Sequence, residues 1–116
     1  MNLQSSQRVA YEQLRSLGFA DISGTYAGVG LPFANPVRLI TIDNTTNINL
    51  IISFDGVNDH TFVASNTGRV LDYCSNKNDL GGNLEQPAYT RLYVKQESGA
   101  AAEGNVYVSV VYASQD

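Results

Sequence analysis

Apolar and polar residues alternate along several short stretches of the chain, which is the pattern of half-buried strands. In the clearest stretch every second residue is apolar: Ile48, Leu50, Ile52 and Phe54. Residues 37–42 are rich in β-branched side chains and predict a preceding strand. The turn formers at 43–47 predict a hairpin between the two strands. Asp55-Gly56 is expected to close the second strand, because glycine adopts positive φ readily.

Further short strands are predicted downstream at similar spacing. They cover residues 61–64, 69–73, 89–95 and 106–112, separated by turns rich in Gly, Asn and Asp, with another short strand possible at 25–29. This spacing favours an antiparallel sandwich or barrel. We expect an all-β fold, an antiparallel β-sandwich of jelly-roll or immunoglobulin-like type.

The N-terminal residues give a mixed signal. Leu3, Ala10, Leu14 and Leu17 lie at helical spacing, and Gly18 is suited to ending a helix. The polar, Gln-containing composition of this segment favours almost equally an extended arm that ends in a strand near residues 14–19. The expected organisation is an N-terminal arm or short helix over 1–21 and a β-sandwich domain over 22–116.

The last predicted strand carries apolar side chains on both faces. Tyr107 and Val111 alternate with the valines on the other face: Val106, Val108 and Val110. A strand covered on both faces needs a second layer, which is another sheet, the N-terminal arm or another subunit. The alternative is an amphipathic surface strand with its tyrosine hydroxyls in water. We predict Tyr93, Tyr107 and Val111 as subunit-contact residues.

Composition and charge exclude several classes of protein. The 116 residues fit one domain, and 43% hydrophobic with 16% charged residues is the composition of a folded chain. Seven Lys+Arg against eleven Asp+Glu give a net charge of −4, with no basic stripe for nucleic acid. The apolar runs are too short to span a bilayer, and the N-terminus has no signal-peptide pattern. We therefore expect neither a nucleic-acid nor a membrane partner.

Residues with catalytic or ligand-binding chemistry are scarce. His60, Cys74 and Asp72 are the material for a Cys-His-Asp arrangement, but nothing in the sequence brings them together. The acidic stretch at 55–59 lacks the spacing of a calcium loop and is explained by turn chemistry. One histidine and one cysteine make a transition-metal site improbable. We predict no catalytic, cofactor or metal residues, and hence a non-enzyme.

Several segments together resemble small β-rich structural proteins of tailed bacteriophages. They are residues 22–30, Asn35-Pro36, 42–46, 52–60 (the most specific part), 71–73, 93–95 and 106–113. The resemblance implies a virion protein, made in the bacterial host cytoplasm, that self-assembles in multiple copies. It also implies contacts with portal, tail or capsid proteins. We favour a ring or fibre-docking component of the head-to-tail or tail region, with a capsid decoration or cement protein as the alternative.

A carbohydrate-binding module is the competing interpretation from another class. Such a module would stack sugars on aromatic side chains, and Tyr89, Tyr93 and Tyr107 are the candidates. The chain has no tryptophan, the usual stacking residue, so this interpretation is the weaker one.

Overall fold

The computed structural model describes residues 8–73 and 85–114, in which nine strands form two antiparallel sheets. The strands are β1 (Arg8–Tyr11), β2 (Arg15–Gly18), β3 (Ala27–Gly28), β4 (Leu39–Asn44), β5 (Leu50–Ser53), β6 (Thr61–Val63), β7 (Thr67–Asp72), β8 (Tyr93–Gln96) and β9 (Asn105–Ser114), and a single 3-10 turn at Phe19–Asp21 follows β2. Sheet A has the order β1-β9-β4-β7, with β2 also paired to β9, and sheet B has the order β3-β8-β5-β6.

The core lies between the two sheets and follows the predicted period of two. Sheet A contributes side chains from β4 and β9: Ile40, Ile42, Val106, Val108 and Val110. Sheet B contributes Leu50, Ile52 and Val94, while Ile48 and Phe54 pack at its margin. The predicted all-β sandwich is confirmed.

The predicted hairpin between residues 37–42 and 48–54 is wrong, because β4 lies in sheet A and β5 in sheet B. The turn between them crosses from one sheet to the other around Asn44, which is 1% exposed. Its Nδ2 donates to the carbonyls of Ile48, Val63 and Ala64 at 2.9, 3.3 and 3.1 Å. Its Oδ1 accepts from the N–H and hydroxyl of Thr46 at 2.9 and 2.6 Å. The buried Asn44 side chain thus provides hydrogen-bond partners for the backbone where the chain passes from one sheet to the other.

The N-terminal helix is also wrong over the described residues, since β1 and β2 pair end to end along one side of β9. The alternative of a strand near 14–19 agrees with β2. Ala10 and Leu17, which suggested helical spacing, both lie on the core side of sheet A, opposite Tyr112 and Val106. Leu14 lies at the corner between the strands and is exposed. The helical spacing therefore arose from two strands joined by a bend.

Candidate functional site

The outer face of sheet A carries apolar side chains on several neighbouring strands. We define the sheet A surface by six residues on four strands: Val9, Tyr11, Leu39, Val70, Val111 and Ala113. Val111 lies between Tyr11 on β1 and Leu39 on β4, and Val9 lies opposite Ala113. Val9, Tyr11 and Val70 are 67%, 71% and 58% exposed. Large apolar patches exposed on a protein surface mark contact sites for other proteins, membranes or ligands.

Two of the predicted contact residues, Tyr107 and Val111, lie on this outer face of β9. Both are half-buried, so within the described chain no second layer covers them fully. Tyr107 lies between Ser16 and Asp43, and its hydroxyl accepts a hydrogen bond from Asn105 Nδ2 at 3.1 Å. The face around Tyr107 is therefore polar, whereas the face around Val111 is apolar.

The third predicted contact residue, Tyr93, lies on the opposite side of the sandwich. It precedes the buried Val94 on β8, so its ring is on the outer face of sheet B. The Arg91 guanidinium carbon lies 5.6 Å from the ring centroid. A Cβ at Gly56 would lie 3.3 Å from the same ring. Tyr93 thus packs against its own chain, and the predicted residues do not form one surface.

The same separation bears on the predicted sugar-stacking tyrosines. Tyr89 lies in a turn with φ of 72° and is 82% exposed. Tyr93 and Tyr107 lie on the outer faces of different sheets. Sugar stacking needs aromatic rings that share one surface, so the three side chains do not form a common platform.

On the outer face of sheet B, three polar side chains are joined to one another. The Tyr26 hydroxyl donates to Asp59 Oδ1, and Lys95 Nζ lies 3.1 Å from the same oxygen. The Lys95 ammonium is also 4.7 Å from the centroid of the Tyr26 ring. Burial together with the bond to Asp59 raises the pKa of Tyr26 to about 12, while the Tyr26 and Lys95 contacts lower the pKa of Asp59.

The acidic stretch at 55–59 forms a tight turn organised by Asp55. The carboxylate accepts from the N–H groups of Asn58 and Val57, from Asn58 Nδ2 and from the Ser53 hydroxyl, all at 2.8 Å. These donors hold the pKa of Asp55 well below its usual range. Gly56 has φ of +76°, as predicted. Donors within the chain therefore account for this carboxylate without a cation.

The predicted Cys-His-Asp arrangement is not assembled among the described residues, and Cys74 lies outside them. His60 Nδ1 accepts from the Phe54 N–H at 3.0 Å, and its Nε2 is 3.9 Å from Asp55 Oδ2, beyond hydrogen-bond distance. Asp72 is on β7, in the other sheet. Within residues 8–73 and 85–114, no group of three or more His, Cys, Asp or Glu side chains could hold a metal ion.

A cleft of about 400 Å³ lies beside the bend between β1 and β2. Its base is the ion pair of Glu12 and Arg15, with Oε1 and Nη2 2.7 Å apart. Glu12 Oε2 accepts from the N–H groups of Ala34 and Asn35, and Arg15 Nε donates to the Leu31 carbonyl at 2.9 Å. Burial alone would raise the pKa of Glu12, but the bonds from Arg15, Asn35 and Ala34 lower it. The side chains of Glu12 and Arg15 thus hold the bend between β1 and β2 against residues 31–35.

Sequence reasoning missed most of the sheet A surface. Val9 and Tyr11 were assigned to an arm or helix, so their exposure on a strand was not foreseen. Val70 was placed in a strand, but its position opposite Thr41 on the outer face of sheet A depends on the pairing of β4 with β7. Val9 and Tyr11 on β1, and Val70 on β7, do alternate with residues of the other strand face. Each alternation covers too few residues to predict which side chains are exposed.

Comparisons with known proteins add no identification. No protein-family model matches the chain, and no curated protein matches it. In the part of the chain that the structure describes, no helix has the length and apolar character required to cross a membrane.

Proposed function

We propose that this chain is a non-enzymatic structural protein of a tailed-bacteriophage particle and self-assembles in multiple copies. Its place is the head-to-tail or tail region, as a ring or fibre-docking component. The observation that carries this proposal is the sheet A surface, where Val9, Tyr11 and Val70 expose apolar side chains on the outer face of one sheet. The assignment to a phage particle is based on the resemblance of the sequence to small phage structural proteins.

The contrast between charged and apolar side chains supports a role in assembly. The charged residues Glu12, Arg15, Asp59 and Lys95 bond within the chain. The sheet A surface has no comparable partner among the described residues, and a second protein surface would remove it from water. A net charge of −4 opposes contact with packaged DNA and favours an outward position in the particle.

A capsid decoration or cement protein is the alternative within the same class. Decoration predicts two- or three-fold contacts on a shell, whereas a connector predicts a closed ring with cyclic symmetry. Both use an exposed sheet face, so the symmetry of the assembled protein separates them.

The test is whether the chain is part of a virus particle. Particles from a culture carrying the gene are purified by density gradient, probed with antibody against the recombinant chain, and imaged after immunogold labelling. We expect the chain to sediment with the particles and the gold to mark the neck or tail. Gold over the capsid would establish the alternative. Absence of the chain from intact particles would overturn the proposal.

A further inference from the structure

The sheet edges of the sandwich differ in how well they are protected. The β1/β2 edge is interrupted by its bend, and β3 has two residues. The β6 edge has three residues, and the carbonyl of its central residue, Phe62, accepts from Arg69 Nε at 3.0 Å. The β7 edge, Thr67–Asp72, is the longest uninterrupted edge among the described strands. Long edges with outward-facing backbone groups are sites of strand addition.

The backbone groups that point out from β7 follow from the pairing of β4. Thr45 N–H donates to the Asn105 carbonyl at 2.9 Å, so the odd-numbered residues of this strand bond towards β9. Its even-numbered residues therefore bond towards β7, where they meet Thr67, Arg69 and Leu71. The N–H and C=O groups of Gly68 and Val70 consequently point away from the sheet. Val70 also exposes its side chain on the sheet A surface.

We propose that β7 pairs antiparallel with β7 of a second copy across a two-fold axis at Val70. This inference rests on the proposed self-assembly and names its contact. Antiparallel strands related by a two-fold axis are self-complementary, so the two Val70 residues exchange both backbone hydrogen bonds. Their side chains meet on one face, and the outer faces of the two A sheets lie side by side. A second copy fits this edge because the same strand supplies both halves of the contact.

The register of the two paired strands also fixes which residues meet at their ends. At each end of the paired strands, Gly68 lies opposite Asp72 of the second copy. Asp43 leans over Gly68, since a Cβ at Gly68 would lie 2.6 Å from Asp43 Oδ1. The pairing therefore brings Asp43 of one copy towards Asp72 of the other.

The first test measures the mass of the full chain by light scattering at several concentrations. The wild-type protein is expected to form a dimer or an even multiple of it. Val70→Pro removes an N–H that makes no bond within the sheet, so the variant should remain folded by circular dichroism but become a monomer. Val70→Thr keeps the N–H and the β-branch and should associate as wild type does.

A second variant covers the case in which Val70→Pro fails to fold. Val70→Lys keeps the backbone donor but brings two ammonium groups together at the axis, so dimerisation should weaken by about tenfold or more. Unchanged association of a folded Val70→Pro or Val70→Lys variant would overturn the β7 contact.

Disulfide cross-linking tests the geometry directly. In a hydrogen-bonded antiparallel pair the Cα atoms are about 5.5 Å apart, within the range that a disulfide bridges. In a Cys74→Ser background, Val70→Cys should give a cross-linked dimer on mild oxidation, whereas the exposed control Val9→Cys should not. A monomer at every concentration, or equal cross-linking of both variants, would overturn the inference. A β7 dimer from a chain that is absent from particles would overturn the proposed function alone.

Discussion

The two outer faces of the sandwich are built differently. On sheet B the side chains bond to one another, as Tyr26, Asp59 and Lys95 do, and Tyr93 packs beside Arg91. On sheet A the face around Val111 is apolar, and Tyr11 and Val70 are exposed. The difference indicates that side-chain bonds within one chain occupy more of the sheet B face, whereas the sheet A surface is suited to cover by another molecule.

A charge in the core should have the largest effect, because both faces depend on the core between them. Ile52→Asp places an unpaired carboxylate where the native side chain is fully buried, so we expect a loss of more than about 4 kcal/mol and no stable fold. The matched control is Ile51→Asp, because Ile51 lies on the sheet B face opposite Lys95. Thermal unfolding followed by circular dichroism measures both; equal damage would contradict the assignment of faces.

The corner that joins the two sheets should give the next largest effect. Asn44→Ala removes the amide that donates to the Ile48, Val63 and Ala64 carbonyls and accepts from the Thr46 N–H, so we expect about 3 kcal/mol of destabilisation in urea unfolding. Asn47→Ala is the control, since its exposed amide accepts one bond, from the Ala102 N–H. Similar losses of unfolding free energy in both variants would show that the bonds of buried Asn44 contribute no more to stability than one bond of an exposed side chain.

A smaller effect on stability, but a specific one on association, is expected at the sheet A surface. Tyr11→Ser removes an exposed ring and should change the free energy of unfolding by less than about 1 kcal/mol; it should leave the β7 dimer intact and weaken the further association of dimers through the sheet A surface. Phe62→Ser on the sheet B side is the matched control and should leave the association constant unchanged. Analytical ultracentrifugation measures the association of both variants. Weaker association of Phe62→Ser than of Tyr11→Ser would contradict the comparison of the two faces.

The smallest expected effect on stability comes from the ionisation of Tyr26, on the sheet B face, at alkaline pH. The pKa of Tyr26 is raised from 10.0 to about 12, so the fold favours the neutral hydroxyl. Its stabilising contribution is therefore complete below pH 10 and is lost as the pH rises through 12. Difference absorbance against Tyr26→Phe should show one late-titrating tyrosine, and Asp59→Asn should move its pKa back towards 10. Ionisation of Tyr26 near pH 10 in the wild-type protein would contradict the hydrogen bond.

The sequence predicted the core better than the connections. Alternation at Leu50 and Ile52, and at the valines of β9, follows directly from burial of one strand face. The turn at 43–47 was recognised, but turn formers do not distinguish a hairpin from a crossing between sheets. That choice depends on Asn44, whose bonds to Val63 and Ala64 join positions distant in the chain.

The candidate surface could be predicted only in part. Val111 was identified because both faces of its strand are apolar, and this signal lies within one stretch of sequence. Tyr93 has the same signal, but its ring packs beside Arg91 and below Gly56. Whether an aromatic side chain is satisfied by its own chain depends on tertiary contacts, which a strand pattern does not contain.

The Asp55 turn has a consequence for the chemical ageing of the chain. In an Asp-Gly dipeptide the glycine nitrogen readily attacks the aspartate carboxyl group, giving a succinimide and then isoaspartate. Here the Gly56 N–H already donates to the Ser53 hydroxyl at 2.9 Å, and four donors hold the ionised carboxylate. Both reacting groups are engaged elsewhere, so the folded turn slows spontaneous isomerisation and helps the polypeptide to persist unaltered after synthesis.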